Sequence, residues 1–66
     1  MKKISIVIPI YNEEVAIEKN VRLVLKALDD NYRDAELVLV NDGSTDSTLD
    51  TIQRLAEGDK RIEVVS

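Results

Sequence analysis

With 66 residues, no Cys and no His, the chain lacks both a disulfide and the usual ligands of a structural zinc, so a small domain must be held together by burial alone. Its 44% hydrophobic and 33% charged residues exclude a disordered polar chain. A net charge of -4 with scattered basic residues excludes a generic nucleic-acid binder, because phosphate backbones require clustered Lys and Arg.

Met1, Lys2 and Lys3 lead into the apolar run ISIVIPI, which has the outline of a secretory signal. Pro9 interrupts that run, YNEE ends it and no small-residue cleavage site follows, so it reads as a strand instead. Ile4 to Ile8 is short, β-branched and almost continuously apolar, the pattern of a strand buried on both faces of a parallel sheet. Pro9 is expected to end its ladder pairing. From about Glu13 to Asp29, Ile17, Val21, Val24, Leu25 and Leu28 recur at helical spacing, with Glu18, Lys19, Arg22 and Lys26 on other faces; this predicts an amphipathic helix with acids at its N-terminus.

The polar stretch DDNYRD is a connection in which Tyr32 is expected to pack. Glu36 to Val40, ELVLV, predicts a second buried strand. Ser47 and Asp50 have the spacing of a capping box, so a second helix is expected through Leu49, Ile52, Leu55 and Ala56, stopped by Gly58. IEVVS, residues 62–66, predicts a third strand. The order β-α-β-α-β, with connections too long for hairpins, predicts parallel strands with right-handed crossovers, an α/β half-sheet. Residues 1–66 therefore read as one partial domain, a fragment or truncated chain. No stretch approaches the roughly 20 apolar residues of a membrane span, and the absence of Cys is compatible with a reducing, cytoplasmic compartment.

In a parallel sheet the loops after the first and second strands open on the same edge, where ligands of such sheets bind. PIYNEE and NDGSTD, the two stretches that break the apolar pattern most sharply, are thus expected to form one site. A dinucleotide site needs a glycine-rich turn after the first strand; here that turn carries Pro9, Tyr11, Glu13 and Glu14 and no Gly. Phosphate is disfavoured at that helix end. Tyr11 offers a flat face for stacking, and Asp42 can accept a hydrogen bond from a ring N–H, which suits uracil or guanine and not adenine or cytosine. Taken singly these residues have plainer readings: Asp42 and Gly43 as a turn pair, Glu13 and Glu14 as first-turn acids, and Ser44 to Ser47 as loop and cap.

SIVIPIYNEE followed about thirty residues on by ELVLVNDGSTDST resembles the N-terminal portion of the family 2 glycosyltransferases, inverting enzymes of the GT-A (Rossmann-like) fold that use nucleotide-diphosphate sugars. The resemblance covers essentially the whole chain and says little about the substrate. It implies that Pro9 and Tyr11 line the base pocket, that Glu13 sits beside the nucleoside and that Asp42 bonds the base of a UDP- or GDP-sugar. Asn41 stands where family members often have an acid; Asn is familiar there in relatives that glycosylate polyprenyl phosphates, and a parent of that kind could work at the cytoplasmic face of a membrane. The resemblance also implies a divalent metal, Mg²⁺ or Mn²⁺, in the parent enzyme. Its D-x-D ligands, the catalytic base and the acceptor site lie beyond Ser66 in the family, so no catalytic or metal residue is expected here and the chain alone should be inactive.

Asp42, Ser44 and Asp46 alternate like the start of a calcium loop, but Ser47 replaces the required Gly and Gln53 the closing Glu. Two other classes compete with the leading reading. One is a non-catalytic binding or folding fragment with inherited motifs. The other is a receiver-like signalling module, for which an acceptor Asp and a Lys are not suitably placed. Finally, the first strand is expected to be an exposed apolar edge guarded only by Lys2, Lys3 and Pro9, which predicts a homo-oligomer, most simply a two-fold dimer.

Overall fold

The computed structural model of the chain describes residues 4–32 and 34–66. Lys2 and Lys3, expected to guard the first strand, and Arg33 in the first connection lie outside the described residues. In chain order the elements are β1 (Ser5–Ile10), α1 (Ile17–Asn31), β2 (Glu36–Asn41), α2 (Thr48–Gly58) and β3 (Ile62–Val65). The sheet order is β1-β2-β3, with both pairings parallel. This is the predicted β-α-β-α-β half-sheet.

Both crossovers step across the sheet in the same direction, so right-handed connections put α1 and α2 on the same face. The core follows from that. Ile10, Leu37, Leu39 and Ile62 from the sheet pack with Ile17 and Val21 of α1 and Ile52 and Leu55 of α2. Every apolar position predicted for the two helices is buried in this cluster or packed against it, except Leu28, which is buried outside it. The strands, by contrast, are not buried on both faces as their apolar runs suggest. Burial alternates along β2, and Val7 is 60% exposed and Val65 45% exposed. Among the described residues no helix covers that second face.

Pro9 does not end β1. It pairs in register with Val40, and the strand continues to Ile10, opposite Asn41. The carbonyls of Ile4 and Ile10 accept from the Glu36 and Asp42 N–H groups of the β2 side at 2.8 and 2.9 Å. Backbone groups of a strand point alternately to its two sides, so Ser5, Val7 and Pro9 face the free edge of the sheet. The N–H that proline lacks is one that β2 never uses, the setting in which a strand tolerates proline.

The helix ends also depart from expectation for identifiable reasons. Glu13 to Ala16 form a turn, with the Glu13 carbonyl accepting from Ala16 at 3.1 Å and Ile17 at 2.8 Å, so α1 starts later than its apolar spacing suggests. Gly58 is the last residue of α2 and has no positive φ. The helix ends because Asp59 is extended; its carboxylate accepts from the Arg61 N–H at 2.9 Å and from the Arg61 guanidinium at 3.0 and 2.7 Å. That guanidinium holds the Asp59 carboxyl below its ordinary value and also reaches Asp29 of α1 at 2.5 Å. Tyr32 does not pack in the connection; it is 53% exposed. No described helix is long and apolar enough to cross a membrane.

Candidate functional site at the carboxyl edge of the sheet

Parallel strands bring the β1–α1 and β2–α2 loops to one edge, and there they are fastened together directly. The Asp42 N–H donates to the Ile10 carbonyl at 2.9 Å, extending the ladder one residue past the end of β2. The Asn12 N–H donates to Ser44 Oγ at 3.0 Å, and the Thr45 N–H donates to Asn12 Oδ1 at 2.7 Å. The Glu13 N–H donates to Thr48 Oγ1 at 2.8 Å. The Glu14 N–H donates to Asp46 Oδ2 at 3.3 Å, and Glu14 Oε2 accepts from the Ser47 N–H at 3.1 Å.

Backbone conformation is adapted to this clasp. Asn12 has φ 45° and Gly43 φ 72°, both left-handed, a region open to Gly and reached by Asn through local polar contacts. Asn41, buried at the end of β2, accepts from the Ser44 N–H at 3.3 Å and donates to Ser66 Oγ at 3.3 Å.

Start of α2 is where the expected capping box fails. Ser47 makes no side-chain cap bond. Asp46 replaces it, with Oδ1 accepting from the Thr48 N–H at 2.9 Å and from the Thr48 hydroxyl. That hydroxyl bond is the leading reason the Asp46 carboxyl sits below its ordinary value. Thr48 is fully buried, and its hydroxyl is satisfied as donor and as acceptor. Sequence reasoning missed it because a Thr next to the helix start reads as part of the cap. The available signal was its position one helical turn before Ile52, on the same buried face.

The clasp divides the acids of the site into two groups. Glu14 and Asp46 spend their carboxylates on backbone N–H groups. Glu13 spends only its backbone, and Asp42 only its N–H. Among the described residues none donates to the Asp42 carboxylate, and both Asp42 and Tyr11 are exposed. Pro9 and Glu13 border a hollow of about 180 Å³ beside β1, walled by Ile8, Ile10, Ile17 and Leu39; Tyr11 and Asp42 do not line it. Drug-sized ligands occupy pockets of about 300–1,000 Å³, so this hollow is smaller than a typical ligand pocket.

Two alternatives are weakened by the same geometry. The first N–H of each helix is occupied by the protein's own oxygens, Ile17 donating to the Glu13 carbonyl and Thr48 to Asp46 Oδ1, so that donor is not free for a phosphate of the kind helix N-termini bind. A resident divalent cation does not fit either: the described residues hold no group of three His, Cys, Asp or Glu able to bind a metal, and Asp46, needed for a calcium loop, is already committed.

Residues 5–66 match the family described as Glycosyl transferase family 2. The chain belongs to that family. It is 36% identical over 64 residues to an uncharacterized glycosyltransferase of Haemophilus influenzae, an alignment covering 97% of this chain and 24% of the relative. It is 40% identical over 57 residues to the undecaprenyl-phosphate 4-deoxy-4-formamido-L-arabinose transferase of Photorhabdus laumondii, covering 86% of this chain and 18% of the relative. It is also 30% identical over 63 residues to the GalNAc(5)-diNAcBac-PP-undecaprenol beta-1,3-glucosyltransferase of Campylobacter jejuni, covering 96% of this chain and 19% of the relative. The chain thus spans about a quarter or less of the length of these relatives. No solved structure matches it.

Proposed function

We propose that this family 2 chain is the donor-nucleotide part of a glycosyltransferase that draws its sugar from a UDP- or GDP-sugar. The observation that carries the reading is the division of labour at the sheet edge: the clasp consumes Glu14 and Asp46 and leaves the side chains of Tyr11, Glu13 and Asp42 available beside Pro9. Tyr11 supplies a stacking face and Asp42 a charged acceptor for the imide N–H of uracil or the N1–H of guanine. Glu13 is assigned to the ribose side. Since two of the relatives are named for undecaprenol-linked substrates, we extend a polyprenyl phosphate acceptor to the parent and place it at the cytoplasmic face of a membrane. The divalent cation of the parent is assigned to residues outside this chain.

Calorimetry with UDP, GDP, ADP and CDP tests the reading. Binding of UDP or GDP at least about tenfold tighter than ADP and CDP is expected, the discrimination of one charge-assisted hydrogen bond. Equal affinity for all four would remove base recognition and leave a folding fragment with inherited motifs. The chain by itself is expected to turn over no UDP- or GDP-sugar, because inverting transfer needs a neutralised leaving diphosphate and a base for the acceptor hydroxyl. Turnover by the pure chain with Mg²⁺ or Mn²⁺ would overturn that part.

The same chain is proposed to form a two-fold dimer through β1, which is an end strand with Val7 exposed and the backbone groups of Ser5 and Val7 turned outward. Pro9 has no N–H to offer, so pairing would be confined to the Ser5 end of the strand. Sedimentation at micromolar concentration should give a dimer; a folded monomer would refute the edge pairing.

A further inference from the structure

Tyr11 lies between two fastened residues. On one side the Ile10 carbonyl accepts from the Asp42 N–H. On the other, Asn12 is held to the opposite loop: its N–H donates to Ser44 Oγ, its Oδ1 accepts from the Thr45 N–H at 2.7 Å, and its side-chain amide meets the Thr45 hydroxyl, Nδ2 at 3.4 Å and Oδ1 at 3.5 Å. Asn12 is also the one described non-glycine residue with positive φ, 45°. A side chain at such a position carries a backbone penalty, and here its polar atoms fit the facing loop. The residues it meets, Ser44 and Thr45, follow directly on Asp42 and Gly43. Tyr11 itself is 59% exposed, so packing does not fix its ring, and its approach to Asp42 is governed by the backbone on either side.

We infer that Asn12 is the positioning residue of the base site: by clasping Ser44 and Thr45 it holds the backbone of Tyr11 alongside that of Asp42, so that the stacking face and the carboxylate meet one base together. This rests on the base-recognition reading above and adds to it a residue that touches no ligand. Asn12 differs from Glu14 and Asp46, whose contacts organise the starts of the helices rather than the segment that carries Tyr11.

The test compares Asn12→Gly and Asn12→Asp, with UDP and GDP as probes. Glycine keeps the left-handed backbone and the N–H bond to Ser44 Oγ and removes the side-chain contacts with Thr45; aspartate keeps the acceptor for the Thr45 N–H. Glycine is expected to weaken nucleotide binding about tenfold, and aspartate to recover most of that loss, to within about threefold of the unsubstituted chain. Amide hydrogen exchange at Thr45 should accelerate in the glycine variant and much less in the aspartate variant. Unchanged affinity in a folded Asn12→Gly chain would overturn the positioning role and leave base recognition standing. If the glycine variant does not fold, a folded Asn12→Asp chain with Thr45 still protected but affinity reduced tenfold would overturn it equally. Failure of the unsubstituted chain to bind either nucleotide would overturn the base-recognition reading, and this inference with it.

Discussion

Asp42→Asn is expected to weaken UDP or GDP binding by about tenfold while leaving the melting temperature unchanged, because the fold uses the Asp42 backbone and not its carboxylate. The Asp42 N–H closes the ladder to Ile10, and an amide side chain preserves that bond. The substitution removes only charge. A charge-assisted hydrogen bond is about twice as strong as a neutral one, and the amide oxygen still accepts, so affinity falls without vanishing. Isothermal titration of the two chains measures the ratio. Equal affinities would mean that Asp42 is a turn residue before Gly43 and nothing more.

Thr48→Val is expected to cost about 2 kcal/mol of stability, a fall of roughly 8–16 °C in melting temperature for a domain of this size. Valine matches threonine in shape, so packing against the core is conserved. What disappears is the acceptor of the Glu13 N–H and the donor to Asp46, in a site where Thr48 is fully buried. Ser47→Ala, by comparison, should be nearly neutral, since Ser47 makes no side-chain cap bond; a capping box would make it cost about 1 kcal/mol. Reversal of the two effects in thermal melts would restore the capping box and dismiss the clasp.

The stability supplied by the clasp is expected to fall in acid. The Asp46 carboxyl is held below its ordinary value of 3.8 by the bond from the Thr48 hydroxyl. Its contribution is therefore complete above that value and is lost as the pH falls through the lower folded-state value. The penalty of Thr48→Val should shrink in acid accordingly.

The architecture was legible in the residues because each element buries one periodic apolar stripe, and the stripes of α1 and α2 name nearly the same positions that the structure buries. The strands were legible as strands but not in their environment. ISIVI and ELVLV carry apolar residues on both faces, and periodicity cannot say that α1 and α2 would cover only one. The effect of Pro9 is hidden for a related reason: whether proline breaks a ladder depends on which neighbour its missing N–H would have faced, and that is set by the sheet order. The convergence of PIYNEE and NDGSTD followed from strand direction alone. The contacts within it did not, because hydrogen bonds between Asn12 and Thr45, or between Glu14 and Ser47, join residues 33 apart that no local rule pairs. The spacing of Ser47 to Asp50 predicts a cap at Ser47, whereas Asp46, one residue earlier, holds the helix start because its carboxylate can serve Thr48 and Glu14 at once.

A titration of the isotopically labelled chain with UDP, followed through its backbone amides and the Tyr11 ring, tests most directly whether the carboxyl edge of the half-sheet recognises a base. Saturable shifts at the Tyr11 ring and at the Asp42 and Gly43 amides, much reduced with CDP and in the Asp42→Asn chain, are the predicted result. Shifts that leave Tyr11 and Asp42 untouched and gather instead on the basic side of α1, at Lys19, Arg22 and Lys26, would contradict it.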